Sequence, residues 1–307
     1  MSWSEEKLHR WLAENPPGAP LVGSAGHDAA VLRPAGGRPV LCFDQTIEGV
    51  HVDAALPPRA IGRKAVSRVF SDLAATGARP HAVGLALRAP RDYTESRLRS
   101  VVGAVRARAL EFGAELIGGD TAAAPGPLSL AVTAFGSVSA RIRPPGRDRA
   151  RSGQALLLTG PVGGSLLGRH WKFEPRLELG AWLHSRGATA LMDVSDGLAL
   201  DAWRLARASG VRLRIESVPV HRDARRMARR TGRDPLEHAL YDGEDYELLA
   251  TVPSKAVPRL LRSAEEKGWP LHVLGRVERG SGLVLDLPDG EATTFDRRAP
   301  RGWVHGD

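Results

Sequence analysis

The residues of this chain best suited to chemistry are its aspartates, and their placement repeats. Asp28 stands in Gly-His-Asp-Ala-Ala-Val, Asp44 follows the apolar run Val40-Leu-Cys-Phe43, and Asp72 lies in Ser-Asp-Leu-Ala-Ala-Thr-Gly-Ala. Asp120 ends Leu-Ile-Gly-Gly-Asp-Thr, and Asp193 and Asp196 share Met-Asp-Val-Ser-Asp-Gly-Leu. One aspartate at a strand end is more often a cap or a turn former than a ligand. Several aspartates, each at a predicted strand end or against a packed helix face, read better as oxygen ligands. Carboxylates are the donors that Mg²⁺ takes, usually keeping several waters and sharing its shell with phosphate oxygens. Converging carboxylates also repel one another, so such a site makes physical sense with cations among them. Gly118 and Gly119, just ahead of Asp120, add a point where backbone can approach a phosphate closely, although a tight turn would use the same pair.

The elements that must position these groups alternate between short apolar runs and longer amphipathic ones, the mark of an α/β chain. Strands are predicted at Val40–Phe43, His81–Leu87, Glu115–Ile117, Leu128–Val138, Ala155–Thr159, Asp245–Val252, Leu271–Val277 and Leu283–Leu287, with one more ending at Met192. Ala65, Val66, Val69, Phe70 and Leu73 recur at three- and four-residue spacings and predict a helix over Arg59–Thr76. Further helices are predicted over Thr94–Phe112 with a Thr cap, near Arg176–Arg186, over Asp196–Ser209 with Asp196 as cap, and over Ser254–Lys267. A stretch rich in Pro, Gly and Arg, Ser139–Gly153, is the expected domain boundary, and the glycine-rich run 160–168 follows the next strand.

With 307 residues the chain can bury a full core. Cys42 is the only cysteine, which excludes an intrachain disulfide and a multi-cysteine metal site and fits a reducing compartment. The first residues lack the basic-then-apolar order of a secretory signal, and no apolar run approaches a membrane span, so a cytoplasmic protein is expected. The net charge of +8 is almost all Arg, with only five Lys, and it is scattered. Its densest cluster, Arg222, Arg225, Arg226, Arg229, Arg230 and Arg233, has helical spacing and no interleaved aromatics, which reads as a solvated helix face. No nucleic-acid module and no membrane partner is expected.

Taken in order, the motifs resemble the thiamine-monophosphate kinase family. They are Asp44-Gln-Thr-Ile-Glu-Gly-Val-His51, Ser71-Asp72-Leu-Ala-Ala-Thr-Gly-Ala-Arg-Pro80, Gly118-Gly-Asp-Thr121, Asp193-Val-Ser-Asp-Gly-Leu198 and Asp242-Gly-Glu-Asp-Tyr-Glu-Leu248. The resemblance runs from about Gly23 to Trp303. It implies a two-domain aminoimidazole ribonucleotide synthetase-like α/β fold. Residues 1–138 would bind ATP and Mg²⁺ and pair with a second copy into a dimeric β-barrel. Residues 139–307 would form a C-terminal α/β domain with a mixed sheet. The implied metal ligands are Asp28, Asp44, Asp72, Asp120 and Asp193, with Asp196 beside them, and Asp72, Asp120 and Asp193 form the implied catalytic set. Gly119, Asp120, Arg147 and Ser195 would meet the nucleotide, and His51, Glu244 and Trp303 would line the thiamine monophosphate pocket. The implied reaction is in-line transfer of the γ-phosphoryl of ATP to thiamine monophosphate in a homodimer. Two other readings stay open: another ATP-dependent enzyme of the same superfamily, and a silent binder of nucleotide or thiamine phosphates. Two departures from the family pattern stand near the expected metals. His27 replaces the first Asp of Gly-Asp-Asp, and Cys42-Phe43 replaces Ser-Thr ahead of Asp44.

Overall fold

Two separate sheets organise the chain. A computed structural model describes residues 4–14, 21–22, 29–33, 35–286 and 292–295. It divides into one unit of residues 1–73 and 78–141 and another of residues 74–77 and 142–307.

The first unit contains α1 (Glu5–Ala13), β1 (Arg38–Ile47), α2 (Pro58–Ala75), β2 (Arg79–Ala89), α3 (Glu95–Glu111), β3 (Glu115–Ala123) and β4 (Ser129–Val138). Its strands run in the order β1-β4-β2-β3. Only β2 and β3 are parallel, as the crossover through α3 requires. Thr94 caps α3 as its sequence predicts, its side chain accepting from Arg97 N. The apolar stripe of α2, Val66, Val69, Phe70 and Leu73, is fully buried together with Leu98, Val101 and Val105 of α3. In β4, Leu130, Val132 and Ala134 are buried to the last atom, whereas Ala131, Thr133 and Phe135 between them are only partly covered. One face of the sheet therefore carries the core. On the opposite face Leu41 and Phe43 are 58% and 75% exposed.

The second unit contains β5 (Gln154–Leu158), α4 (Leu177–Ser185), β6 (Ala190–Asp193), α5 (Leu198–Ser209), β7 (Arg212–Ile215), α6 (Arg222–Thr231) and α7 (Pro235–Tyr241). β8 (Leu248–Pro253), α8 (Val257–Glu266), β9 (His272–Glu278), β10 (Gly282–Leu285) and β11 (Thr293–Thr294) complete it. The sheet order is β11-β10-β7-β9-β5-β8-β6, mixed because β10 runs parallel to β7 and the other pairs are antiparallel. Both faces of this sheet are covered. Leu156 and Leu158 of β5 pack with Met192, Leu205 and Leu274 on one side, while Leu157 packs with Leu179, Trp182, Leu191 and Leu260 on the other. A strand buried on both faces reads as an unbroken apolar run, which is why Ala155–Leu158 carries no polar alternation.

Candidate active site

Alternation along β1 decides what Asp44 can reach. Cys42 and Asp44 turn toward α2, where Cys42 Sγ lies 3.4 Å from Val69 O and Asp44 Oδ2 lies 3.0 Å from Arg68 Nε. Phe43 between them points to the opposite face. The phenyl ring at this departure from the family pattern is therefore not on the side where Asp44 presents its carboxylate. Asp72, half-buried, stands one turn beyond Arg68 on the same stripe of α2.

Asp120 belongs elsewhere in the sheet. The row containing Asp44 runs through Val132 and Leu85 to Gly119, and the adjacent row runs from Gln45 through Ala131 and Ala86 to Asp120. Because β1 and β3 are the two edge strands, Asp44 and Asp120 are three strand spacings apart, roughly 14 Å. Asp120 is exposed. A Cβ at Gly119 would stand 1.9 Å from Leu85 O, so glycine there is needed for β3 to pair with β2 at all. His51, in the turn after β1, takes the N–H of Ile47 on Nδ1 at 3.1 Å, which leaves Nε2 to carry the proton. The fully buried Lys64 donates its ammonium to the His51 carbonyl.

In the second unit Asp193 ends β6 and is 4% exposed, with Ser195 and Asp196 half-buried just beyond. The expected cap at Asp196 is corrected here: Gly197 occupies the cap position, and no side chain bonds from it. Asp201, inside the first turn, reaches back and accepts the N–H groups of both Ser195 and Asp196 at 2.9 Å. Arg204 then bridges Asp201, at 2.9 Å, and Asp196. Burial, and after it the neighbouring Asp196, push the Asp201 carboxyl up to about 7, against the pull of the Asp196 N–H and Arg204. Arg147 is exposed, and its carbonyl accepts from Ser209 Oγ at 2.7 Å.

The segment Asp242–Leu248 is expected from sequence to enter a strand at Asp245, but β8 begins only at Leu248. Glu244 and Tyr246 instead hold left-handed φ values of 53° and 55°, each costing roughly 1 kcal/mol or more that the surroundings must offset. Those surroundings are hydrogen bonds: Glu244 N donates to Ser195 O at 2.7 Å, and Tyr246 N to Val194 O at 2.8 Å. Asp245 Oδ1 accepts from Gly163 N at 2.9 Å and Asp242 Oδ2 from Gly164 N at 3.0 Å. The N–H groups of Gly163 and Gly164 are thus committed to carboxylates of the acidic segment. Arg169, His170, Phe173 and Arg176, which no sequence motif singles out, pack against the same segment.

Among the described residues no three His, Cys, Asp or Glu side chains gather closely enough to hold a metal ion. Asp28 and Trp303 lie outside the described residues. The rest of the sequence-predicted set falls into two groups. Asp44, His51, Asp72, Gly119 and Asp120 belong to the first unit, and Arg147, Asp193, Ser195, Asp196 and Glu244 to the second.

With its two sheets, one in each unit, this chain is an AIR synthase related protein. Residues 26–138 match the N-terminal domain of that family and residues 164–287 its C-terminal domain. A thiamine-monophosphate kinase of Rhodopirellula baltica is 36% identical over 295 residues, covering 92% of this chain and 90% of that protein. The crystal structure of a thiamine-monophosphate kinase from Stenotrophomonas maltophilia K279a superimposes with a TM-score of 0.78 at 32% identity, covering 95% of this chain and 99% of that one. A further structure, AaThiL complexed with AMPPCP and TMP, gives a TM-score of 0.73 at 27% identity and covers 87% of this chain and 90% of that one. The chain belongs to the thiamine-monophosphate kinase family.

Proposed function

We propose that this protein transfers the γ-phosphoryl group of ATP to the phosphate of thiamine monophosphate, giving thiamine diphosphate and ADP. The observation that carries this reading is kinship with a thiamine-monophosphate kinase over 92% of the chain, extending through both units. The complex of AaThiL with AMPPCP and TMP supports the same pair of substrates.

The chemistry asks little covalent work of the protein. A phosphate monoester oxygen is already ionised near neutral pH, so the nucleophile needs no strong base. The barrier lies in bringing two anions together in line and in stabilising the charge spread over the transferred group. In this reading Arg147 meets the nucleotide phosphates with its exposed guanidinium, and the Gly119 backbone and Ser195 contact the nucleotide. His51 and Glu244 receive thiamine monophosphate, as does Trp303. Asp72, Asp120 and Asp193 are the aspartates nearest the reaction.

The donor set suits Mg²⁺: Asp28, Asp44, Asp72, Asp120, Asp193 and Asp196 offer only hard carboxylate oxygens, with no thiolate or imidazole among them. In this reading Asp28, Asp44, Asp72 and Asp120 of the first unit and Asp193 of the second would each supply carboxylate oxygen to the ions, with Asp196 in a supporting part. When bound, Mg²⁺ supplies positive charge against the phosphate oxygens. Arg68 beside Asp44 and Arg204 beside Asp196 offset part of the carboxylate repulsion by themselves.

The bare face of the first sheet, with Leu41 and Phe43 exposed, fits a homodimer joined through that face. No described helix is long and apolar enough to cross a membrane, and a cytoplasmic location goes with this reading. The test is substrate choice. Purified protein with Mg-ATP should convert thiamine monophosphate to the diphosphate and leave thiamine unphosphorylated. Phosphorylation of thiamine alone, or of neither, would overturn the assignment.

A further inference from the structure

Between the glycine-rich run and α4, residues 169–176 cross the second unit and meet four consecutive residues of the acidic segment. Arg169 Nη2 donates to Asp245 Oδ1 at 2.8 Å and also to Gly163 O at 3.0 Å. His170 Nδ1 faces Glu244 Oε2 at 3.1 Å. The Phe173 ring stacks on Tyr246, with centroids 4.0 Å apart and planes within 12°. Arg176 grips Glu247 with two parallel bonds of 2.9 and 2.6 Å, and Thr159 Oγ1 donates to the same carboxylate at 2.7 Å.

In three of these four pairs the residue contributed by the acidic segment is interior. Asp245, Tyr246 and Glu247 are 2%, 3% and 4% exposed, and Phe173 is 7% exposed. Their work is to fix backbone, and they hold two non-glycine residues at left-handed φ. The fourth pair differs. The Glu244 side chain is 21% exposed, and its carboxylate takes the Tyr246 hydroxyl on Oε1 at 3.3 Å and His170 on Oε2. An anchored backbone with two polar neighbours at the carboxylate is an arrangement for aiming a negative charge. Thiamine carries a permanently cationic ring and an aminopyrimidine, and a fixed carboxylate complements either one.

We propose that residues 169–176 form a strap that aims the Glu244 carboxylate at the thiamine moiety, with His170 as the positioning residue. This rests on the reading of Glu244 as a substrate contact, and the test separates the two. In the full-length protein, KM for thiamine monophosphate and KM for ATP are measured for Glu244→Gln, His170→Ala, His170→Asn and Tyr246→Phe.

Glu244→Gln and His170→Ala should each raise KM for thiamine monophosphate about tenfold, the scale of one charge-assisted hydrogen bond, with KM for ATP and kcat within about twofold. His170→Asn, which keeps an amide near the place of Nδ1, should recover most of the loss. Tyr246→Phe, which removes one hydroxyl and leaves the stack on Phe173, should raise the same KM roughly threefold. The double variant of Glu244→Gln and His170→Ala should be no worse than Glu244→Gln alone.

If Glu244→Gln raises KM but His170→Ala and Tyr246→Phe do not, the strap inference fails and the substrate reading stands. If Glu244→Gln leaves KM unchanged, both fall. An equal loss in both KM values and in kcat for His170→Ala would mark a merely structural role and also overturn the inference. Should His170→Ala not fold, the comparison of Tyr246→Phe with Glu244→Gln decides by the same criterion.

Discussion

The Asp245 carboxylate meets the Arg169 guanidinium at 2.8 Å in the interior of the second unit, where Asp245 is 2% exposed. Burial pushes this carboxyl up to about 7, while Arg169 and the Gly163 N–H pull it down and Glu247 adds to the rise. A group whose pKa is raised on folding stabilises the fold fully below its unfolded value and loses that contribution as pH rises through the folded value. For Asp245 the window runs from about 4 to about 7, with a slope on the order of 1 kcal/mol per pH unit. Asp245→Asn lacks this titration. Its Tm relative to the parent should therefore improve steadily from about pH 4 to about pH 7 and level off above that, as read by thermal melts in matched buffers. A difference that is flat or falls with pH would contradict the assignment.

Asp72 is half-buried on α2, one turn from the Arg68 that pairs with Asp44. If it serves the phosphates through a cation, Asp72→Asn should lower kcat about 100-fold or more while the thermal midpoint stays within a few degrees. Near-normal turnover in the folded variant would remove Asp72 from the catalytic set.

Leu41 and Phe43 project from β1 on the face away from α2, at 58% and 75% exposure. A charge placed there is tolerated by a monomer and opposed by a partner's apolar sheet. Phe43→Asp together with Leu41→Asp should shift sedimentation from dimer to monomer without changing the circular dichroism. A dimer that persists through both changes would place the interface elsewhere.

Gly163 has φ +97°, and a Cβ there would stand 2.6 Å from the backbone of Ala239. Gly163→Ala should cost roughly 2 kcal/mol or more and lower Tm by roughly 5 °C. An unchanged Tm would mean that the run 160–168 can shift away from α7 freely.

Much of this architecture is legible in the residues. The stripe Ala65, Val66, Val69, Phe70 and Leu73 delivers α2 within a residue or so at each end, and the Thr94 cap marks the start of α3. The central strand β5 announces itself by its unbroken apolar run. The shortfalls share a cause, which is that pairing across the sheet overrides local preference. β1 and β3 continue through Asp44 and Asp120 because each has a hydrogen-bonded neighbour along its length. β7 alternates Arg212 and Arg214 with Leu213 and Ile215 over only four residues, and Arg214 is matched by Glu278 and Asp286 far along the chain. α7, at seven residues, is too short to build a periodic signal.

The candidate site divides in the same way. Motif spacing marks Asp72, Asp193 and Glu244, but not Asp201, whose back-reaching bonds occupy the role that local rules give to Asp196. Arg169 and His170 are legible only once the fold brings them to Asp245 and Glu244, more than seventy residues away. No short-range pattern encodes such a pairing.

Label transfer tests the central claim most directly. With ATP labelled in the γ-phosphoryl group and thiamine monophosphate present, the account predicts label in the terminal phosphate of thiamine diphosphate. Product should match ADP one to one and vanish when Mg²⁺ is chelated. Release of label as inorganic phosphate, with no labelled thiamine diphosphate, would contradict it.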